Sequence, residues 1–126
     1  FDSLGLYDNY GMAQRCQAQQ ALELLGLEGL SNRQFHQLSY GQQRQLLLAR
    51  AMVKTPSLLI LDEPCIGLDD EHSEQFLRQL AQIISNTATT VLYVSHIGEE
   101  IPAGLRQQLK FVAHSDAGYR IEVHDL

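Results

Sequence analysis

The chain has 126 residues, 44% of them hydrophobic, and sets nine Lys and Arg against fifteen Asp and Glu for a net charge of −6. That length suits one compact domain able to bury a core. The acidic balance argues against a free-standing nucleic-acid binder, which needs clustered cations to neutralise phosphates, and apolar runs such as 46–49 and 58–61 are too short to cross a bilayer.

No basic start followed by an apolar stretch suggests a signal peptide. The chain opens at Phe1 rather than Met, so an upstream portion is expected to be missing. Cys16 and Cys65 fit no metal-binding spacing and are expected to be ordinary reduced thiols of a cytosolic protein.

Residues 1–12 read as irregular, with Gly5, Gly11 and Asp8-Asn9 as turn signals. A helix is expected over 13–25, with an apolar stripe of Ala21, Leu22, Leu24 and Leu25 and a stop at Gly26. Ser31 with Gln34 has the spacing to open a short helical turn, and Ser39 with Gln42 repeats it ahead of a stronger helix over about 40–53. Pro56 bars its continuation. Residues 58–61 form a continuous apolar run, the pattern of a parallel strand covered on both faces.

Residues 71–85 give the clearest amphipathic helix. Phe76, Leu77, Leu80, Ile83 and Ile84 share one face, with Glu74, Gln75, Arg78, Gln79 and Gln82 elsewhere. Asp69 or Asp70 can cap its start. Residues 90–95 make a second buried strand. Strand, helix, strand at this length is a βαβ unit with parallel strands and a right-handed crossover. Beyond Pro102, residues 109–113 and 119–123 flank Ser115-Asp116-Ala117-Gly118, the pattern of a hairpin.

Several of these elements end in groups suited to phosphate chemistry. The strand at 58–61 runs into Asp62 and Glu63, and ligands of open α/β sheets sit outside the carboxyl ends of the strands. Asp62 is placed to hold Mg²⁺, and Glu63 to orient or deprotonate a water. An exposed acidic pair at an ordinary strand exit is the plainer reading. His96 ends the second strand on the same edge, where a histidine can donate to a phosphate or polarise the water. His36, His72, His114 and His124 lack such company and take no role.

Ser39-Tyr40-Gly41-Gln42 opens a helix whose free N–H groups attract a phosphate. The structural alternative is a capping box between Ser39 and Gln42. Gly67 permits a tight turn, and Asp69 can cap the next helix.

Residues 38–42 (Leu-Ser-Tyr-Gly-Gln), 58–64 (Leu-Leu-Ile-Leu-Asp-Glu-Pro), 67–70 (Gly-Leu-Asp-Asp) and 91–96 (Val-Leu-Tyr-Val-Ser-His), in this order, resemble the C-terminal half of an ABC-type ATPase domain. The resemblance runs from about residue 13 to 102. It implies a P-loop NTPase-like α/β fold with a parallel sheet core, a helical subdomain over 13–54 and an α/β part over 55–126 with a C-terminal hairpin. The phosphate-loop strand would be missing, since no Gly-x-x-x-x-Gly-Lys-Ser/Thr segment occurs in the sequence. An apolar sheet edge is then expected to be left uncovered.

By the same resemblance, Ser39, Tyr40, Gly41 and Gln42 belong to the signature motif, which grips ATP bound to a partner domain. Asp62 is the Walker B aspartate for Mg²⁺, Glu63 the catalytic glutamate, Asp69 part of the D-loop facing the second domain, and His96 the switch histidine. Two positions depart from the family pattern. Tyr40 stands where Gly is usual, and Cys65 where Thr or Ser is usual. Tyr40 together with residues 61–69 is similar to the tandem ATP-binding proteins of molybdate transport or photorepair.

The resemblance implies ATP binding and hydrolysis that energises transport, with a second ABC domain across an ATP sandwich and a membrane permease as partners. The location implied is the cytoplasm, peripheral to the inner face of the membrane. A soluble ABC ATPase in regulation, translation or DNA repair is the alternative. By itself the 126-residue chain is expected to be inactive.

Overall fold

A computed structural model describes residues 11–96, 101–114 and 118–126. The expected turn at 115–118 lies outside the described residues except for Gly118, and the expected irregular start lies outside them through residue 10.

Helix α1 spans Met12–Leu24. Its end shows why Gly26 is where it is. Gly26 adopts φ +67, its N–H donates to the Glu23 carbonyl, and the Leu27 N–H reaches back to the Leu22 carbonyl at 2.9 Å. This is a Schellman closure, which satisfies carbonyls the helix would otherwise orphan and turns Leu27 into the core. No helical turn opens at Ser31. Single 3-10 turns occupy Glu28–Leu30 and Phe35–Gln37, and Ser31 ends the first of them.

Helix α2 spans Tyr40–Met52, and α3 spans Asp70–Asn86. Strands β1 (Leu58–Asp62) and β2 (Thr90–Val94) pair in parallel, with Leu58 opposite Thr90 and Asp62 opposite Val94. Thr89 helps set this register. Its hydroxyl donates to the Pro56 carbonyl at 2.7 Å, and the Thr90 N–H donates to the Ser57 carbonyl. Strands β3 (Gln107–His114) and β4 (Gly118–Asp125) form a separate antiparallel pair, as the hairpin pattern predicts.

One apolar cluster joins α1, α2, α3 and β1. It contains Ala21, Leu25, Leu48, Met52, Leu59, Phe76, Leu80 and Ile83, with Leu80 and Ile83 fully buried. The apolar stripe of α3 therefore points where its spacing predicts. Gln79 does not. It is 4% exposed, and its amide donates to the Leu25 carbonyl at 2.8 Å, so a residue assigned to the polar side ties α3 to the end of α1.

The strands also differ from the expectation of cover on both faces. Leu59 is buried, but Leu58, Ile60, Leu92 and Val94 are exposed. The helices α2 and α3 cover one side of the pair, and the alternation of a strand sends every second residue to the other. The face left open is as apolar as the covered one, because the sequence is written for a sheet buried on both sides. The hairpin repeats the pattern. Leu109, Phe111, Tyr119, Ile121 and Val123 share its apolar face and stand more than half exposed.

Candidate functional site

The parallel pairing brings the carboxyl ends of β1 and β2 to one rim, and three of the expected residues meet there. Asp62 is the last residue of β1 and is exposed. Glu63 follows it with φ +47, a left-handed conformation that costs a non-glycine residue about 1–2 kcal/mol. Two backbone bonds offset that cost. The Glu63 N–H donates to the Val94 carbonyl at 2.9 Å, and its own carbonyl accepts from Ile66 at 3.2 Å.

The twist aims the Glu63 carboxylate across to the end of β2. There Oε1 accepts the His96 backbone N–H at 3.0 Å, with the imidazole Nε2 3.2 Å away. The Glu63 side chain is 18% exposed and that of His96 is 90% exposed. The acid is thus held in the rim while the imidazole stands open to whatever binds above it. Strained backbone of this kind concentrates at functional sites.

A second cluster forms around the start of α2. Ser39 and Gln42 make the reciprocal capping box. The Gln42 N–H donates to Ser39 Oγ at 3.2 Å, and the Ser39 N–H donates to Gln42 Oε1 at 3.1 Å. Gln43 fixes the preceding loop through the Phe35 and Leu38 carbonyls. Of the two readings of this segment, the capping box is the one observed. The cap is made, and the helix still presents its amino end.

Asp69 caps α3, accepting the His72 N–H at 2.9 Å. Its carboxylate oxygens also lie 2.7 and 2.9 Å from His72 Nδ1. The backbone N–H of His72, then its ring, hold the Asp69 carboxyl below the usual carboxylate range. An anion at the first turn also suits the helix dipole.

The clusters include residues that spacing alone passed over. His72, given no role, lies against Gly41. A Cβ added there would meet its Cδ2 at 2.2 Å. Tyr40 lies over Gly67, where an added Cβ would be 3.4 Å from Cε1 of the ring, and Gly67 itself holds φ +79. Arg44 donates to the Tyr40 hydroxyl through Nη2 at 2.6 Å and Nε at 3.1 Å. The signal for His72 was its position three residues after Asp69, the reach of a first-turn cap. That for Arg44 was the i,i+4 interval from Tyr40.

Cys65 is buried, with the Tyr93 hydroxyl 3.7 Å from its sulfur, while Cys16 is exposed, and neither is in a disulfide among the described residues. Among the described residues no helix is long and apolar enough to cross a membrane. Nor, among them, does any group of three or more His, Cys, Asp or Glu side chains stand ready to hold a metal ion.

A parallel βαβ unit with an acid pair and an imidazole at its carboxyl rim makes this an α/β protein. The ABC transporter family profile matches residues 1–66, and the chain belongs to that family. It is 43% identical over 113 residues to the ABC transporter ATP-binding protein ModF of Escherichia coli (strain K12), a match covering 89% of this chain and 23% of that protein. It is 41% identical over 102 residues to the uncharacterized ABC transporter ATP-binding protein YmeB of Lactococcus lactis subsp. lactis (strain IL1403), covering 80% of this chain and 39% of that one. The chain thus spans well under half the length of these curated relatives.

Among solved structures, the ADP conformation of an ATP-binding cassette of an ABC transporter matches with a TM-score of 0.73 at 20% identity, over 82% of this chain and 40% of that one. A dimeric bacterial ABC transporter cassette matches with a TM-score of 0.62 at 26% identity, over 82% and 44%. The fold is that of an ABC cassette, of which this chain is a part.

Proposed function

We propose that the full-length protein binds and hydrolyses ATP as an ABC ATPase, and that the rim of β1 and β2 is its hydrolytic edge. The observation that carries this reading is the Glu63 carboxylate, held in a left-handed twist and bonded to His96 at the neighbouring strand end. Family membership supports it.

The donor set suits a nucleotide with Mg²⁺. Mg²⁺ is commonly held by one or two carboxylates together with phosphate oxygens, and Asp62 offers one exposed carboxylate at the strand end. When bound, the metal would neutralise charge building on the transferred phosphoryl group. Glu63 accepts a proton from, or aligns, the attacking water, and His96 donates toward the terminal phosphate. Ser39 and the amide of Gly41, at the amino end of α2, grip the phosphate of ATP bound to a second ABC domain. Gln42 holds Ser39 in place through the capping box, and Asp69 faces that second domain. Residues 13–54 form the helical part of the cassette and 55–126 its α/β part.

Transport is the process we infer this ATPase drives, through a membrane permease at the cytoplasmic face. A relative named for molybdenum import matches at 40% identity over 78 residues, which makes molybdate the first substrate to try. Relatives named for zinc import and for spermidine/putrescine import match at comparable identity, so the assay should include those solutes. The test is ATP turnover by the full-length protein beside the 126-residue chain alone. The full-length protein should turn over ATP. The chain alone should give only background, because it has no glycine-rich loop and lysine to cradle the β- and γ-phosphates. Background rates from both would end the reading.

A further inference from the structure

Resting on that reading, we propose that His72 and Tyr40 are positioning residues that lock the signature turn of α2 to the turn ahead of α3, so that the two turns move as one body. The ring of His72 fills the space over Gly41 so closely that a single methyl there would collide with it at 2.2 Å. Asp69 holds that ring from behind with both carboxylate oxygens. Tyr40 makes the second link. Its ring covers Gly67, and its hydroxyl is fixed by two Arg44 donors, so the phenol is braced from its own helix.

Both links run between the same two segments, 39–42 and 67–72. Each uses a glycine on one side and a ring on the other, which permits closer approach than two side chains would allow. The consequence concerns timing. Ser39 and Gly41 reach for phosphate, and Asp69 reaches for the facing domain. If their turns are one body, a phosphate gripped by the first presents the second, and release of either loosens both. Coupling of this sort needs an element that both sites bias, and the pair of turns is that element.

The contact is tested by combining Gly41→Ala with His72→Ala in the full-length protein. With His72 present, the new methyl must displace the ring, and the urea midpoint should fall. With His72→Ala, the space is open and alanine is the better helix former, so Gly41→Ala should raise the midpoint. Equal shifts in both backgrounds would overturn the contact.

The coupling is read by hydrogen exchange without nucleotide. His72→Ala should speed exchange at 39–42 and at 67–72 together, each by roughly tenfold, the scale of one lost hydrogen bond. Faster exchange confined to 67–72 would overturn it. Tyr40→Ala gives the same test by the other link, and Tyr40→Phe, which keeps the ring over Gly67, should restore most of the protection.

In steady-state assays His72→Ala should lower kcat per nucleotide-binding site, counted by titration, with little change in KM, whereas a role in folding alone would lower the number of sites and leave kcat per site unchanged. Absence of turnover in the unaltered full-length protein would end the ATPase reading and leave coupled exchange standing. Independent exchange with normal turnover would end the coupling alone.

Discussion

Glu63→Gln in the full-length protein is expected to lower ATP turnover by about 10²–10⁴-fold, the usual contribution of a positioned general base. Nucleotide binding should be nearly unchanged, and the two-domain ATP-bound state should accumulate. The amide is isosteric and its oxygen can still accept the His96 N–H, so the rim keeps its shape while losing the proton acceptor. Single-turnover measurements beside equilibrium nucleotide binding check this. Turnover within twofold of the unaltered protein would remove Glu63 from the chemistry and leave its left-handed twist without a catalytic purpose.

Leu80→Ala should be among the most damaging of simple truncations. Leu80 is fully buried on α3, in the cluster with Phe76 and Ile83. A leucine truncated at such a site costs about 2–5 kcal/mol, through lost transfer free energy and the cavity left behind. That is a large share of the 5–15 kcal/mol that holds a typical domain folded. Because α3 connects β1 to β2, loosening it also frees the rim that carries Asp62, Glu63 and His96. Urea denaturation monitored by circular dichroism measures the change. A loss below about 1 kcal/mol would mean that the interior repacks around the gap.

The elements legible from the sequence were those governed by local rules. Helices α1, α2 and α3 and all four strands lie within a few residues of their expected positions, because periodicity, prolines and capping residues act over short distances. The meeting of Glu63 with His96 was legible for a different reason. A short βαβ connection leaves two parallel strands little choice but to end on one rim.

The residues that escaped did so because their contacts join distant segments. Gln79 reads as polar surface until the Leu25 carbonyl, 54 residues earlier, is placed beside it. His72 reads as one exposed helix residue until Gly41 arrives from another helix. Strand burial was misjudged because the runs of β1 and β2 are apolar on both faces, whereas helices cover only the face of Leu59 among the described residues.

The twist at Glu63 also bears on how such a protein can be improved by laboratory evolution. Position 63 asks for a conformation that glycine or asparagine adopts with less penalty, so heat-tolerant variants selected for folding alone should drift toward those residues. Each such variant would gain robustness while forfeiting its acid, a direct case of the conflict between durability and activity. Libraries screened by survival at temperature should therefore keep this codon constant. Glycine enriched at position 63 in an unconstrained library would reveal how much folding energy the native carboxylate withholds.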